Sequence, residues 1–253
     1  MKNLANQKVA LVTGGSRGIG AATCVQLANA GYAVVVNYAA SQAASDKVLQ
    51  AIATAGGSGC GLQADVSDEA QVLAMFAQID ATYGRLDALV NNAGVVDMTA
   101  RLDEMSVTRW KRMFDINVIG SLLCAREAVL RMSTRHGHSG GAIVNVSSAA
   151  AKLGSPSQYL DYAASKGAID TFTLGLAKEV ATEGIRVNGV RPGIIDTDIH
   201  ASGGLPNRVA QLAPQVPMQR GGTADEVANA IVWLLSDSAS YVTGTTIDVA
   251  GGR

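Results

Sequence analysis

The chain has 253 residues, with 20 basic and 21 acidic side chains and a formal net charge of −1, a balance that leaves no electrostatic footprint for nucleic acid. Hydrophobic residues make up 48%, enough for one substantial core, and the strongest apolar runs (33–36 and 231–235) fall far short of the roughly 20 residues a membrane span needs. Residues 1–8 are short and polar, without signal-peptide form, and Cys24, Cys60 and Cys124 stand apart with no metal-ligand spacing, so a reduced, cytoplasmic setting is expected.

In chain order, residues 8–13 (KVALVT) are a short apolar run that reads as a buried strand. It feeds directly into Gly14, Gly15, Ser16, Arg17, Gly18, Ile19 and Gly20, after which Ile19, Ala22, Thr23, Leu27 and Ala30 repeat at helical spacing. A glycine turn joining a strand to a helix N-terminus presents free N–H groups and a positive helix end, which suit a pyrophosphate; as a motif alone it could be only a tight turn. Residues 33–37 (AVVVN) form the second strand. An acid at its end would accept from the ribose hydroxyls of NAD and repel a 2′-phosphate; here Asn37 and Tyr38 stand instead. Arg17 is either a solvated loop charge or the cation for that phosphate, with Asn37 and Ser41 as further donors, so NADP is preferred over NAD.

Residues 41–55 read as a helix, 58–64 as a weaker strand ending on Asp65 and Val66, and 68–83 as an amphipathic helix. Asp65 is an acceptor for an adenine amino group or a loop acid. The fourth strand, 86–90, ends on Asn91, Asn92, Ala93 and Gly94, where small residues would admit a cofactor ribose and the asparagines could tie strands together. One long helical region is expected from 106 to 135, with Asn117 as a buried amide needing partners. His136 and His138, and lone His200, lack a third metal ligand, so no metal site is expected. The fifth strand, 142–146, contains an Asn145, Val146, Ser147 sequon that a buried strand would make fortuitous, and it runs into Ser147 and Ser148.

A helix is expected to begin at Tyr162. Lys166 follows one turn later on the same face, close enough that its ammonium would lower the phenol pKa below about 10. Alone, the pair could be an ordinary helix surface. The sixth strand, 185–190, leads to Pro192 and Gly193. Residues 194–219, rich in Pro and Gly, read as a mobile lid with one short helix. Thr223 and Glu226 have capping-box spacing, and 245–249 is the last strand. No repeat or domain boundary is visible. The fold expected is a single-domain α/β Rossmann-type doubly wound sheet of about seven parallel strands, with helices on both faces.

These residues, in this order, resemble the short-chain dehydrogenases/reductases over essentially the whole length. The resemblance lies in Thr13 and Gly14 with Gly18, Ile19 and Gly20; Asp65; Asn91 to Gly94; Asn117; Ser148; Tyr162 with Lys166; and Pro192 and Gly193 with Thr197. The stretch around Tyr162 is similar to bacterial sugar dehydrogenase-like and uncharacterised oxidoreductase members. The resemblance implies Tyr162 as general acid/base, Lys166 as tuner of Tyr162 and ribose ligand, Ser148 as a donor to the substrate oxygen, and Asn117 as holder of a relay water. Thr197 would contact the nicotinamide amide, with Pro192, Gly193 and Ile195 beside it. Ser148 is preferred to Ser147 because it stands six before Gly154. The segment from Ser148 to Tyr162 is one residue longer than in many relatives and carries Tyr159, a substrate contact or a decoy for the catalytic role.

The function expected is hydride transfer between a nicotinamide and a secondary alcohol or carbonyl of a small molecule: a sugar, a polyol or a small ketone. A 3-oxoacyl thioester reductase is the alternative within the class, and a non-catalytic NADP-binding sensor or scaffold the alternative outside it. The resemblance also implies a homotetramer.

Overall fold

Seven short strands, most of them rich in Val, Ile and Ala, form one sheet in this computed structural model, which describes residues 7–253 without the side chains of His200 and Ala201. The strands are β1 (Val9–Val12), β2 (Ala33–Tyr38), β3 (Ser58–Gln63), β4 (Ala88–Asn91), β5 (Gly141–Val146), β6 (Ile185–Pro192) and β7 (Thr246–Val249). All pairings are parallel, in the order β3-β2-β1-β4-β5-β6-β7. Parallel strands need helical crossovers that cover both faces, and so β1, β2 and β4 are buried at every position. The doubly wound parallel sheet expected from the sequence is therefore the fold. The expectations on residues 1–6 and on the His200 side chain lie outside the described residues.

On one face lie α1 (Gly18–Asn29), α2 (Gln42–Thr54) and the helix of 224–235; on the other lie α3 (Glu69–Tyr83) and the helices of 107–132 and 160–180. Two of the starts carry a side-chain cap that the sequence marks. Asp68 accepts from the Gln71 N–H ahead of α3, and Thr223 and Glu226 form the expected capping box. Gly84, in the left-handed region, ends α3.

Three expectations need correction. The region 106–135 is not one helix. It comprises α4 (Val107–Phe114), a π-helical turn over Asp115–Ile119, α5 (Gly120–Met132) and a short 3-10 turn. At the junction, a Cβ on Gly120 would come within 2.7 Å of Val66 Cγ2, so only glycine lets the helix approach the end of β3 this closely. After α6 (Ala150–Leu153), α7 spans Leu160–Val180 and so begins two residues before Tyr162. The segment 194–219 holds two short helices, α8 (Ile199–Ser202) and α9 (Arg208–Leu212), and a 3-10 turn, rather than one helix; α10 (Ala224–Leu235) follows. The base of this segment is closed. Ile195 forms a parallel bridge with Gly222, and the Gly222 N–H donates to Ile194 O at 2.8 Å.

Candidate active site

The strand order reverses between β1 and β4, and their carboxyl ends open a crevice there, as expected at a topological switch point. Two connected clefts occupy it. The larger, about 790 Å³, runs past Gly14, Ser16, Arg17, Gly18, Tyr38, Asp65 and Val66. The smaller, about 430 Å³, lies over Ser148, Tyr162, Lys166, Pro192, Gly193 and Ile195. Ile19, Asn92, Gly94 and Thr197 line both.

The larger cleft fits a dinucleotide. Gly14 has φ +59°, and a Cβ there would lie 3.0 Å from Ala93 Cα; Gly18 has φ +51°. Arg17 caps α1 without any side-chain hydrogen bond to the helix, which leaves that end open to an anion. Asn92 holds the turn from below, donating to Thr13 O at 2.9 Å and Gly14 O at 3.0 Å. Gly20 lines neither cleft. A Cβ on it would meet Gly14 O at 2.4 Å, so its smallness serves helix-to-turn packing.

Asn37 is reassigned. Its Oδ1 accepts from the Gly14 N–H at 3.1 Å, and its Nδ2 donates to Leu62 O and Ala64 O at 3.3 and 3.0 Å. Both amide hydrogens are spent inside the protein, so Asn37 is a brace for the glycine turn and not a donor to a 2′-phosphate. Asp65 Oδ1 accepts from the backbone N–H and hydroxyl of Ser67.

In the smaller cleft, Ser148 and Tyr162 come together. Ser148 and Tyr162 line the same wall, with the serine hydroxyl near enough to favour the ionised phenol, whereas the Ser147 hydroxyl donates to Lys166 O at 3.1 Å. Lys166 is buried, donates to Val146 O at 2.7 Å, and lies 5.7 Å from the centre of the Tyr162 ring. The expected lowering of the phenol pKa is not found. Burial pushes Tyr162 above its ordinary value, partly opposed by the Ser148 hydroxyl. Burial also drives Lys166 down to about 8, with Asp170 working against it. Desolvation outweighs charge attraction because Lys166 is buried and Tyr162 is packed into the cleft wall above it.

Asn117 lines neither cleft. It is fully buried on the π-turn, its Oδ1 accepts from the Val95 N–H at 2.8 Å, and its Nδ2 donates to Val95 O and Ser165 Oγ. Each end of the amide is engaged, so the side chain ties the loop after β4 to α7. Tyr159 lines the cleft, but its hydroxyl donates to Gly203 O at 3.1 Å, which pins the segment 194–219.

Two features escaped the sequence. Asp161, one residue before Tyr162, binds Arg109 of α4 through two hydrogen bonds, at 2.7 and 3.1 Å, and also accepts from the Tyr162 N–H. An acid in the first turn of a helix was the available signal. Arg253 lines the smaller cleft, and nothing in its sequence context marks it. Among the described residues no three His, Cys, Asp or Glu side chains gather as metal ligands, and no helix is long and apolar enough to cross a membrane.

A family model described as "Enoyl-(Acyl carrier protein) reductase" matches residues 14–253. Together with the parallel sheet and the Ser148, Tyr162, Lys166 cluster, this establishes that the chain belongs to the short-chain dehydrogenase/reductase family of oxidoreductases. It is 59% identical to the uncharacterized oxidoreductase YgfF of Escherichia coli K12, over 97% of this chain and 99% of that protein. It is 38% identical to the 3-oxoacyl-[acyl-carrier-protein] reductase FabG of Staphylococcus aureus, over 97% of each. A Serratia marcescens short-chain dehydrogenase/reductase mutant superposes with a TM-score of 0.89 at 34% identity, covering 98% of both chains.

Proposed function

We propose that the chain is an NADP-preferring oxidoreductase that interconverts a secondary alcohol and a ketone or aldehyde of a small molecule. The observation that carries this reading is the meeting of the Ser148 and Tyr162 hydroxyls above buried Lys166, beside a glycine cradle with an open helix end. A bound nicotinamide would supply or take the hydride. Gly14, Gly18 and the start of α1 would hold its pyrophosphate, and Lys166 its ribose. In reduction, Ser148 donates to the carbonyl oxygen, where negative charge develops, and Tyr162 gives up the proton. A phenol held protonated by burial suits the acid role, and a protonated Lys166 stabilises the phenolate left behind. The segment 194–219 is the substrate lid of this single domain. A panel of ketones and alcohols with NADPH, read by absorbance, tests the reading. Calorimetric NADPH binding without turnover of any of them would favour a sensor.

With Asn37 committed elsewhere, the preference for NADP rests on Arg17, which is exposed on the larger cleft and makes no ion pair among the described residues. Arg17→Gln is expected to weaken NADPH binding about tenfold and NADH binding by much less, since a charge-assisted bond to phosphate contributes on the order of 1.5–3 kcal/mol. Fluorescence titration of both cofactors measures this, and a wild-type preference for NADH overturns it.

Lys166 gives a pH signature. Its ammonium is the form that donates to a ribose, so NADPH affinity should be highest below about pH 8 and decline above it. The group's contribution to stability runs the other way. Between about 8 and 10.5 the unfolded lysine holds the proton that the folded one has lost, so stability from this group rises with pH there. Titrations from pH 6.5 to 9.5 should show the inflection in wild type and not in Lys166→Gln.

A second reading, reduction of 3-oxoacyl thioesters, is favoured by the name of the S. aureus relative. Cytoplasmic residence and a homotetramer go with either reading. Ile119, Leu122 and Leu130 are exposed apolar residues of the kind a subunit contact covers, and light scattering reads the number of chains.

A further inference from the structure

The cleft over Ser148 and Tyr162 is lined by Arg208 and Arg253 in addition to Lys166, and by no acidic side chain. In a chain of net charge −1 this is a local excess of cations at one site. Most other arginines are spoken for. Arg85, Arg101, Arg109, Arg112, Arg126 and Arg131 are among those in ion pairs, and Arg186 donates to three backbone carbonyls. Among the described residues, Arg17, Arg208 and Arg253 have neither kind of partner, and all three line the clefts. Arg17 belongs to the larger cleft alone, whereas Arg208 and Arg253 belong to the smaller one alone. The cation for the cofactor and the cations for the substrate end are thus separate.

Arg208 is also held in place. Its guanidinium lies 5.1 Å above the centre of the Tyr159 ring, and the Tyr159 hydroxyl is fixed to Gly203 O. A guanidinium stacked on an anchored ring loses little freedom when it binds, and its flat fork matches a carboxylate through two parallel hydrogen bonds. The rest of the lining is mixed, with apolar Val96, Leu153, Ile194 and Ile199 beside polar Ser155, Gln158 and Thr197. A volume of about 430 Å³ suits a small molecule.

Building on the oxidoreductase reading above, we propose that the substrate is an oxo or hydroxy acid: a short hydrocarbon body whose carbonyl or carbinol meets Ser148 and Tyr162, and whose carboxylate is taken by Arg208 with Arg253 beside it. The carboxylate is favoured over the phosphate of a carrier-bound thioester because Arg208 is half-buried in the cleft wall, whereas a carrier phosphate sits at the far end of a long arm outside it.

The test is calorimetric binding and NADPH turnover with oxo acids of four to eight carbons, linear and cyclic, each paired with its uncharged methyl ester. At least one acid should bind the wild-type protein ten times more tightly than its ester. In Arg208→Gln that ratio should collapse below about threefold, Arg208→Lys should restore part of it, and Arg253→Gln should reduce it. If no acid is preferred over its ester, or if Arg208→Gln weakens acid and ester equally, the inference is wrong. Acid preference in binding without turnover would sink the oxidoreductase reading and leave only the carboxylate site of Arg208 standing. Turnover of neutral ketones with no acid preference would do the reverse. A further arm compares acetoacetyl-CoA with the uncharged N-acetylcysteamine thioester. An Arg208-dependent preference for the CoA ester, with no preference among the acids, would overturn the carboxylate in favour of a carrier phosphate.

Discussion

Tyr162→Phe should lower kcat/KM for carbonyl reduction by about 10²- to 10⁴-fold while the protein stays folded and still binds NADPH. Proton transfer by a placed side chain is worth about that range, and the phenol shares the cleft wall with Ser148 above buried Lys166. Removing one oxygen leaves the ring in contact with Lys166, so packing around the helix is retained. Ser148 would keep its acceptor role toward the Ala150 N–H, at 3.1 Å, which holds its rotamer. Steady-state kinetics beside a thermal melt separates chemistry from folding. A variant within tenfold of wild type would mean that Tyr162 does not handle the proton.

Asp161→Ala should cost stability more than most single substitutions, about 3–5 kcal/mol. The Arg109 and Asp161 side chains are only 10% and 2% exposed, so solvent cannot replace the lost partner. Arg109 also donates to Met98 O, and Asp161 accepts from the Tyr162 N–H; the pair therefore links the loop after β4, α4 and the first turn of α7. For a chain of this size, the expected fall in melting temperature is roughly 6–20 °C. Replacing both partners by well-packed apolar residues, as in Arg109→Met with Asp161→Leu, should recover much of the loss, because neither charge is then stranded. A drop below about 2 °C for the single variant would show that water reaches the guanidinium after all.

The sheet was legible because a parallel sheet leaves long traces: uninterrupted apolar runs such as 33–36, each followed by a helix-period pattern. The site was legible where a motif combined spacing with a backbone demand, as at Gly14 and Gly18 or Tyr162 and Lys166. What could not be read were quantities set by environment. Spacing puts Lys166 one turn from Tyr162, but says nothing of the burial that moves both pKa values against the simple pair argument. Likewise the identity of Asn37 suggested a free donor, and only the crossing of β2 beside the glycine turn shows its amide to be used up. The π-turn at Asp115–Ile119 has no composition of its own, and it directly precedes Gly120, where α5 packs closely on Val66. Arg253 reaches the cleft only because β7 returns the chain to it.

The bridge between Ile195 and Gly222 closes the base of the segment it encloses. Both ends are fixed to each other before either reaches the sheet, so residues can be added or removed between them without changing strand register. Doubling the length of such a closed loop costs only about 0.6 kcal/mol in chain entropy. This is therefore the place where one wall of the smaller cleft can be exchanged as a cassette, while Ser148 just after β5 and Tyr162 and Lys166 on α7 stay where they are.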